Sequence, residues 1–354
     1  MKTRASPRRS LSGELLEGRR FLLAALADVP EERWAQSPGP AYSPVGWHLG
    51  HVASVQARWL LPGEERRYGD FFDPQQTAKP SRRELPPARE LRAYLDEVLD
   101  KVCAGLDAGR VPAILGLPED FLVQHLAQHE LQHGEHIQVI AALAAGRLHR
   151  MPPALRLRSA DRIEFPGGRL QIGCADLSRA YDNERPLHEV ELPPFWLDPA
   201  PVTAAQFVQF VRTGYGERSL WSDEGWSFLW KNGIFAPLRF DEQDPDVPVT
   251  CLSWYEAEAY ARWRGARLPT EEEMEAAGVE PSGVWEWTAS WFGPYPGFRP
   301  YPYQGYSFPW FGTHRALRGG SWATSPALLR KSLRNWYVPD FREFPSGFRC
   351  AGDL

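Results

Sequence analysis

Four histidines recur within one stretch of the chain, residues 117 to 146. They stand at positions His125, His129, His133 and His136, with spacings of four, four and three. On an α-helix these spacings place all four imidazoles along one face. Neutral imidazole is the side chain that most often binds first-row transition metals. The pattern therefore favours a metal site over a buried polar network.

Two motifs overlap at this metal site. Residues His129 to His133 read His-Glu-Leu-Gln-His, which matches the HExxH motif of zinc proteases, where two histidines bind zinc and the glutamate acts as a base. The same residues, extended to Glu135, also read HxxxHxE. The local sequence does not separate these interpretations, so a third ligand and the second half of the chain must decide.

The histidines need helices to position them. Pro118 suits the first turn of a long helix, and Gly146 suits its end. A shorter helix that runs to about Leu61 carries His48 and His51, which lie three residues apart on roughly one face. Either of these two histidines could supply the third ligand.

Two further helices are predicted, from Leu11 to Val29 and from Glu90 to Leu106. Four helices joined in this way indicate an up-and-down bundle with a metal among its helices. The charged connection from Tyr68 to Pro87 contains Arg82 and Arg83, and loops over a metal site often hold the substrate. These arginines are candidates for binding a substrate carboxylate, with a solvated basic pair as the alternative.

Bulk properties exclude several classes of protein. The chain has 354 residues, a formal charge of −5 and a calculated pI near 6.0, which gives no electrostatic case for nucleic acid. Its four cysteines lack CxxC spacing, so neither a disulfide framework nor a thiolate zinc site is expected. No segment looks able to span a membrane, and no signal-peptide core follows the basic first ten residues. We therefore expect a cytoplasmic protein.

The composition changes after a proline-containing linker from Met151 to Leu155. We therefore expect a helical domain over residues 11–150 and a second domain over 156–354. Most of the 15 tryptophans lie after residue 195. The segment His188–Leu192 alternates like a strand, while Thr203–Thr213 and Ser253–Gly265 are predicted to be helical. The expected fold class is α+β, with an irregular, loop-rich second domain held by aromatic packing.

Ordered segments of the second half match a known fold. They are Glu184–Val190, Pro201–Thr203, Val249–Trp254, Arg267–Glu271, Val284–Thr288, Leu317–Trp322 and Gly347–Cys350. On these segments the second half resembles the formylglycine-generating-enzyme-like (sulfatase-modifying-factor, C-type-lectin-like) domain. The first half resembles the DinB-type four-helix bundle.

A chain with both domains resembles the EgtB-type sulfoxide synthases of the ergothioneine pathway, which are non-haem iron enzymes. The resemblance implies that the HxxxHxE motif supplies the iron ligands His129 and His133, and that a W-x-L-x-H helix supplies His51. It also implies Fe(II) as cofactor, with dioxygen, a thiol and a histidine derivative such as the imidazole betaine hercynine as substrates. Three imidazoles leave about three positions of an octahedral iron open for such ligands.

The resemblance also implies roles for other residues. Gln132, Asn335 and Trp336 match family positions that contact the imidazole substrate. A tyrosine of the second domain supplies a proton or hydrogen atom, and the matching stretch favours Tyr303, with Tyr306 second. Aromatic packing is the alternative for each aromatic residue.

Some positions depart from the family pattern. A family glutamine four residues after His51 falls on Val55, with Gln56 beside it, so Gln56 becomes a candidate for substrate binding. An acidic residue that contacts the thiol substrate falls on Tyr337, and a downstream arginine falls on Phe341. The resemblance therefore leaves open which thiol is used and whether sulfur or selenium is transferred.

Four other functions compete with the sulfoxide synthase. A formylglycine-generating copper oxidase needs two cysteines where this chain has Thr324 and Leu329. The zinc-protease interpretation leaves the second domain without a function. A DinB-type thiol transferase would use the bundle without dioxygen, and a non-enzymatic scaffold would bind a partner through exposed aromatics. The sequence favours the iron enzyme over all four.

Overall fold

The computed structural model describes residues 10–63, 67–151 and 161–354, and the chain divides into two compact units. Unit 1 contains residues 1–144 and 176–179, and unit 2 contains residues 145–175 and 180–354. Residues 145–150, which we predicted to belong to the helical domain, lie in unit 2 because the last helix of unit 1 ends at Ala144. Most of the predicted linker at 151–155, and the basic N-terminal residues 1–9, lie outside the described residues.

The described part of unit 1 is helical, as predicted. Its long helices are α1 (Leu11–Leu26), α2 (Val45–Leu60), α3 (Ala88–Asp107) and α4 (Phe121–Ala144). Helix α1 begins where the Ser10 side chain accepts a hydrogen bond from the backbone N–H of Gly13, which satisfies a free donor of the first turn. Helix α1 ends three residues before the predicted Val29, and α4 begins four residues after the predicted Leu117.

Small residues let α1 and α4 pack closely. A Cβ atom at Gly134 would lie 2.5 Å from Cδ1 of Phe21, and one at Gly18 would lie 3.1 Å from the carbonyl oxygen of Ala127. Helix α2 packs against both α3 and α4. The two histidine-bearing helices, α2 and α4, are therefore neighbours in the bundle.

Unit 2 consists of short strands and short helices joined by long loops. The strands are β1 (Ile163–Phe165), β2 (Gly168–Ile172), β3 (His188–Leu192), β4 (Phe195–Leu197), β5 (Trp285–Trp291), β6 (Arg315–Gly319), β7 (Asn335–Tyr337), β8 (Ser346–Gly347) and β9 (Ala351–Asp353). The helices are α5 (Ala204–Thr213), α6 (Asp223–Asn232), α7 (Trp254–Trp263) and α8 (Glu271–Ala277). Strand β3 and helices α5 and α7 confirm the three predicted elements, and the α+β class is confirmed with them.

The strands of unit 2 form three small sheets. The orders are β1-β4-β9, β2-β3 and β7-β6-β5-β8, and all pairs are antiparallel except β5 with β8. Thr203, Ser253 and Thr270 cap α5, α7 and α8, each in a reciprocal pair with the glutamine or glutamate three residues later. Local sequence therefore sets where these helices begin.

Buried ion pairs connect the loops of unit 2. Arg349 binds Glu286 with two hydrogen bonds of 2.6 and 2.8 Å, and Arg334 binds Glu271 with two of 2.7 and 2.8 Å. Paired bonds of this kind fix both the distance and the orientation of the two side chains. These ion pairs therefore connect segments of unit 2 that are not joined by long strands. In the described part of the chain, no helix is long and apolar enough to cross a membrane.

Candidate metal centre

Helices α2 and α4 bring three imidazoles together within unit 1. Nε2 of His129 lies 3.2 Å from Nε2 of His51 and 3.1 Å from Nε2 of His133. The ligand atoms of the three histidines all lie within 4.8 Å of one another. Since imidazole nitrogens lie about 2.0–2.1 Å from a bound zinc ion, two of them at right angles would be about 3 Å apart. The three histidines fit one transition-metal ion of similar size.

Burial keeps these three imidazoles in the form that binds metals. Desolvation lowers the pKa of His51 to about 4. Desolvation, together with the neighbouring histidines, holds the pKa of His129 and His133 well below the ordinary value. Because a metal ion binds neutral imidazole, the site is ready for an ion near neutral pH without losing protons first.

This burial predicts that metal binding releases few protons. With an ordinary pKa of about 6.5, three histidines would together release about two protons per ion near pH 6. The depressed pKa values predict fewer than one. Calorimetry of Co(II) binding near pH 6, in buffers of different ionisation enthalpy, measures this number. A release close to two protons would show that the imidazoles are charged before the metal arrives.

A backbone carbonyl and an indole ring orient His51. Its Nδ1 lies 2.7 Å from the carbonyl oxygen of Phe72, so the Nδ1–H donates and Nε2 keeps its lone pair for a metal. The Trp47 ring stacks on the imidazole with a centroid distance of 4.8 Å and an interplanar angle of 13°. The segment around Phe72, between α2 and α3, therefore positions one ligand of the site.

Arg82 supports this segment. Its guanidinium is buried and donates to the carbonyls of Thr77 and Pro74, both at 2.9 Å, and to Oγ of Ser43 at 2.8 Å. It also lies 4.2 Å from the centre of the Trp47 ring. Three of the five guanidinium N–H donors are thereby engaged within the protein, and the role of Arg82 in binding a substrate carboxylate stays a prediction. Arg83 is exposed, and its substrate role stays a prediction.

Gly50 leaves the space that Phe72 fills. A Cβ atom at Gly50 would lie 2.1 Å from two atoms of the Phe72 ring. We expect Gly50→Ala to displace Phe72 and move its carbonyl away from His51, which would weaken metal affinity by about 10-fold or more. Competition with a chelator measures the affinity.

Gly105→Ala is the matched control for this change. Gly105 also lies inside a helix of unit 1, but a Cβ atom there would come no closer than 3.8 Å to a neighbour, the Arg110 side chain. Its metal affinity should equal that of the wild type. Equal affinities for both variants would mean that the Phe72 carbonyl does not support the site.

Glu130 points away from the three imidazoles. Its side chain is fully buried and forms an ion pair of 2.5 Å with Nε of Arg19, on α1. Its other carboxylate oxygen accepts a hydrogen bond of 2.7 Å from the Gln56 amide. A protease base must reach the metal-bound water, so this arrangement argues against the HExxH interpretation.

The contacts among Arg19, Glu130 and Gln56 also correct the prediction that Gln56 binds a substrate. Its side chain is fully buried, and its amide is engaged by Glu130 and, at 3.4 Å, by Arg19. No surface of Gln56 remains for a substrate. Sequence reasoning did not find Arg19, whose partner lies 111 residues away.

The remaining histidines of unit 1 have different surroundings. His125 stacks on Phe121 with a centroid distance of 5.6 Å, outside both possible metal-binding groups of the described residues. His48 and His136 form the second such group, which shares His133. Of the predicted four-histidine face, His129 and His133 are therefore the two members that lie in one candidate group with His51. Gln132 is half-buried between those two ligands in the sequence.

The predicted residues of unit 2 form a cluster within that unit. The Trp336 ring stacks on Phe292 at 4.4 Å and lies 6.2 Å from the ring centre of Tyr306. The Tyr306 and Tyr303 ring centres are 6.5 Å apart. Oδ1 of Asn335 accepts a hydrogen bond of 2.8 Å from the backbone N–H of Trp336. The roles of these four predicted residues stay predictions.

Two family models match different parts of the chain. Residues 14–137 match the DinB superfamily. Residues 149–280 and 282–354 match the sulfatase-modifying factor enzyme 1-like domain. The protein is thus a DinB-type helical domain, with a candidate three-histidine metal site, fused to a sulfatase-modifying-factor domain.

Curated relatives share both domains. The hercynine oxygenase of Mycolicibacterium thermoresistibile is 32% identical over 446 residues, covering 98% of this chain and 95% of the relative. Those of Mycolicibacterium smegmatis and Mycobacterium tuberculosis are also 32% identical, covering 98% and 93% of this chain and 99% and 95% of the relatives. The chain belongs to the hercynine oxygenase (EgtB-type) family and is an oxidoreductase. Because the 446-residue alignment is longer than this 354-residue chain, the relative carries insertions.

Proposed function

We propose that the protein is an iron(II)- and dioxygen-dependent sulfoxide synthase. It joins the sulfur of a thiol to an imidazole carbon of a histidine derivative such as hercynine, and it oxidises that sulfur. The observation that carries the proposal is the group of three neutral imidazoles, the buried His51 and His133 and the half-buried His129, with Nε2 atoms 3.1–3.2 Å apart around His129. The name shared by the relatives, hercynine oxygenase, supports the choice of substrate.

The donor set fits iron(II). Imidazole nitrogen suits iron, zinc and copper alike, so the family decides among these ions. Iron(II) bound there would supply the activation of dioxygen and a position for the thiolate sulfur. The protein's part is to hold three neutral nitrogens in place, which the Phe72 carbonyl and the Trp47 ring do for His51.

The proposed reaction needs no outside reductant. Forming the carbon–sulfur bond breaks a C–H and an S–H bond and removes two electrons and two protons. Oxidising the resulting sulfide to a sulfoxide removes two more electrons. One dioxygen molecule accepts all four, since one of its atoms goes to sulfur and the other leaves as water. Each product molecule therefore consumes one dioxygen.

The other assigned residues act on the substrates. Gln132, Asn335 and Trp336 are proposed to position the imidazole substrate, and the exposed Arg83 is proposed to attract the carboxylate of the thiol. Tyr303 is the proposed donor of a proton or hydrogen atom, with Tyr306 as the second candidate.

Tyr303→Phe should slow sulfoxide formation by about 100-fold, the usual loss when a positioned proton donor is removed, or change the ratio of products. Iron content should stay unchanged, because Tyr303 is not one of the proposed metal ligands. Product chromatography after single turnovers measures the effect. Tyr306→Phe is the comparison: a loss confined to that variant would move the donor role to Tyr306.

Mass spectrometry of the product tests the function as a whole. Iron-loaded protein is incubated with hercynine, a panel of thiols and ¹⁸O-labelled dioxygen. A product that joins both substrates and carries one ¹⁸O atom supports the proposal and identifies the thiol. A thiol adduct that forms equally well without dioxygen would instead indicate a thiol transferase of the DinB type.

A further inference from the structure

We propose that His48 is a positioning residue for the metal centre. It accepts the Nδ1–H of His133 and thereby selects the tautomer in which Nε2 of His133 can bind an ion. This inference rests on the proposed metal centre. It concerns a residue on α2 that none of the assigned ligand or substrate roles uses.

The two imidazoles meet through the same type of atom. Nδ1 of His48 lies 2.8 Å from Nδ1 of His133, and both side chains are buried, with 6% and 8% of their surfaces exposed. Each neutral imidazole carries one proton, so one Nδ1 must donate and the other must accept. A metal on Nε2 of His133 leaves Nδ1 as the protonated nitrogen of that ring. His133 is then the donor, and His48 is the acceptor.

This assignment also determines the protonation state of the second ring nitrogen of His48, Nε2. If its Nδ1 accepts, the proton of His48 lies on Nε2. That atom is buried and has no hydrogen-bond partner among the residues that the structure describes. In the reverse arrangement His133 would carry its proton on Nε2, the atom that lies 3.1 Å from Nε2 of His129, and could not bind an ion there.

His48 does for His133 what a backbone carbonyl does for His51. Nδ1 of His51 donates to the Phe72 carbonyl, whereas Nδ1 of His129 is buried without a partner in the described structure. Metal-bound histidines usually donate their second N–H to an acceptor, which fixes the ring and makes the metal-binding nitrogen more basic. In this site, two of the three ligands have such an acceptor.

A second metal ion is the competing explanation for the same contact. Ligand atoms of His48, His133 and His136 also lie within 4.8 Å of one another. An ion bound there through Nδ1 of His133 would require that ring to lose both protons and bridge two metals. A hydrogen bond needs no such deprotonation, so we favour the positioning role.

Two substitutions of His48 separate the hydrogen bond from the volume of the ring. In His48→Asn, the side-chain oxygen can take the place of Nδ1 and accept from His133, whereas His48→Phe keeps a ring but offers no acceptor. We expect Co(II) affinity to fall by about 10–100-fold in His48→Phe and to stay within about 3-fold of the wild type in His48→Asn. The visible spectrum of the bound Co(II) should change in His48→Phe alone. His125→Phe, a buried histidine outside both groups, is the matched control and should bind normally.

A measurement on the wild type keeps the proposal testable if a variant fails to fold. In the Zn(II)-loaded protein, ¹⁵N chemical shifts should show a proton on Nδ1 of His133 and none on Nδ1 of His48. The reverse assignment overturns the proposal. The proposal is also overturned if the wild type, His48→Asn and His48→Phe bind Co(II) with equal affinity. An equal loss of Co(II) affinity in His48→Asn and His48→Phe would overturn it as well.

The remaining outcomes distinguish failure of the proposed metal centre from failure of the role proposed for His48. Two ions per wild-type chain, with one lost in His136→Phe, would establish the second metal site and overturn the positioning role. No Co(II) binding by the wild type would overturn the metal centre and, with it, the role of His48. Normal binding by the wild type and by His48→Phe would leave the metal centre intact and reject His48 alone.

Discussion

His133→Ala is expected to abolish metal binding and dioxygen-dependent activity together. His133 contributes one of three nitrogens to the site, and its Nε2 lies 3.1 Å from that of His129. Loss of a direct ligand should exceed the roughly 10–100-fold loss in affinity that outer partners cause. The iron content of protein that has been loaded without oxygen and then desalted measures the effect.

His125→Ala is the control for His133→Ala. It removes a buried histidine from the same helix, but one that belongs to neither metal-binding group of the described residues. It should retain one iron per chain. Stoichiometric iron in His133→Ala would contradict the assignment of His133 as a ligand, and loss of iron in both variants would point to a general defect of α4.

Glu130→Ala is expected to destabilise unit 1 by about 3–5 kcal/mol, the usual result of removing one partner from a buried ion pair. The change leaves the Arg19 guanidinium, whose side chain is 5% exposed, without its 2.5 Å partner. It also removes the acceptor of the Gln56 amide. Urea denaturation of the metal-free protein, followed by helix content, measures the loss.

A double variant tests the physical reason for that loss. Arg19→Met combined with Glu130→Leu removes both charges and should recover most of the stability, because no uncompensated charge remains. If Glu130→Ala were instead as stable as the wild type but catalytically inactive, the carboxylate would have a chemical role. That result would support the HExxH interpretation that the structure disfavours.

The candidate metal ligands could be proposed from the sequence because their positions follow from helical periodicity. The spacing of His129 and His133 places both on one face of α4 once the stretch is helical. For the third ligand, spacing left His48 and His51 open, and only the family pattern favoured His51. In the structure Nε2 of His51 lies 3.2 Å from Nε2 of His129, whereas Nδ1 of His48 lies 2.8 Å from Nδ1 of His133, and this geometry supports the proposal that His51 is the third ligand.

The contacts of Gln56, Glu130 and Arg82 could not be read from local sequence patterns. Gln56 contacts Glu130, which is 74 residues away, and no local pattern indicates that pairing. Glu130 itself follows a ligand directly, but one residue corresponds to about 100° of rotation around a helix, which turns its side chain toward α1. Arg82 looked like a surface base because its loop is charged, yet it folds back onto the carbonyls of its own loop.

Unit 2 was predictable where local signals are strong. A strand was predicted from the alternation of His188–Leu192, and helices were predicted over Thr203–Thr213 and Ser253–Gly265, where the structure shows Thr203 and Ser253 as helix caps. The short helix α8 was not predicted, and strands of two or three residues carry too little periodicity to recognise. Pairs such as Arg334 with Glu271 connect residues 63 positions apart, so their role emerges only from the folded chain.

The most direct test of the iron assignment is dioxygen uptake by protein loaded with iron(II) in the absence of oxygen. Hercynine or histidine is supplied with each of several thiols, and an oxygen electrode records consumption. We predict uptake only when an imidazole substrate and a thiol are both present, with one dioxygen consumed per product molecule, and no uptake by His133→Ala. Tight iron binding without uptake for any pair would contradict the proposed reaction, and product formation without dioxygen would contradict the oxidative chemistry.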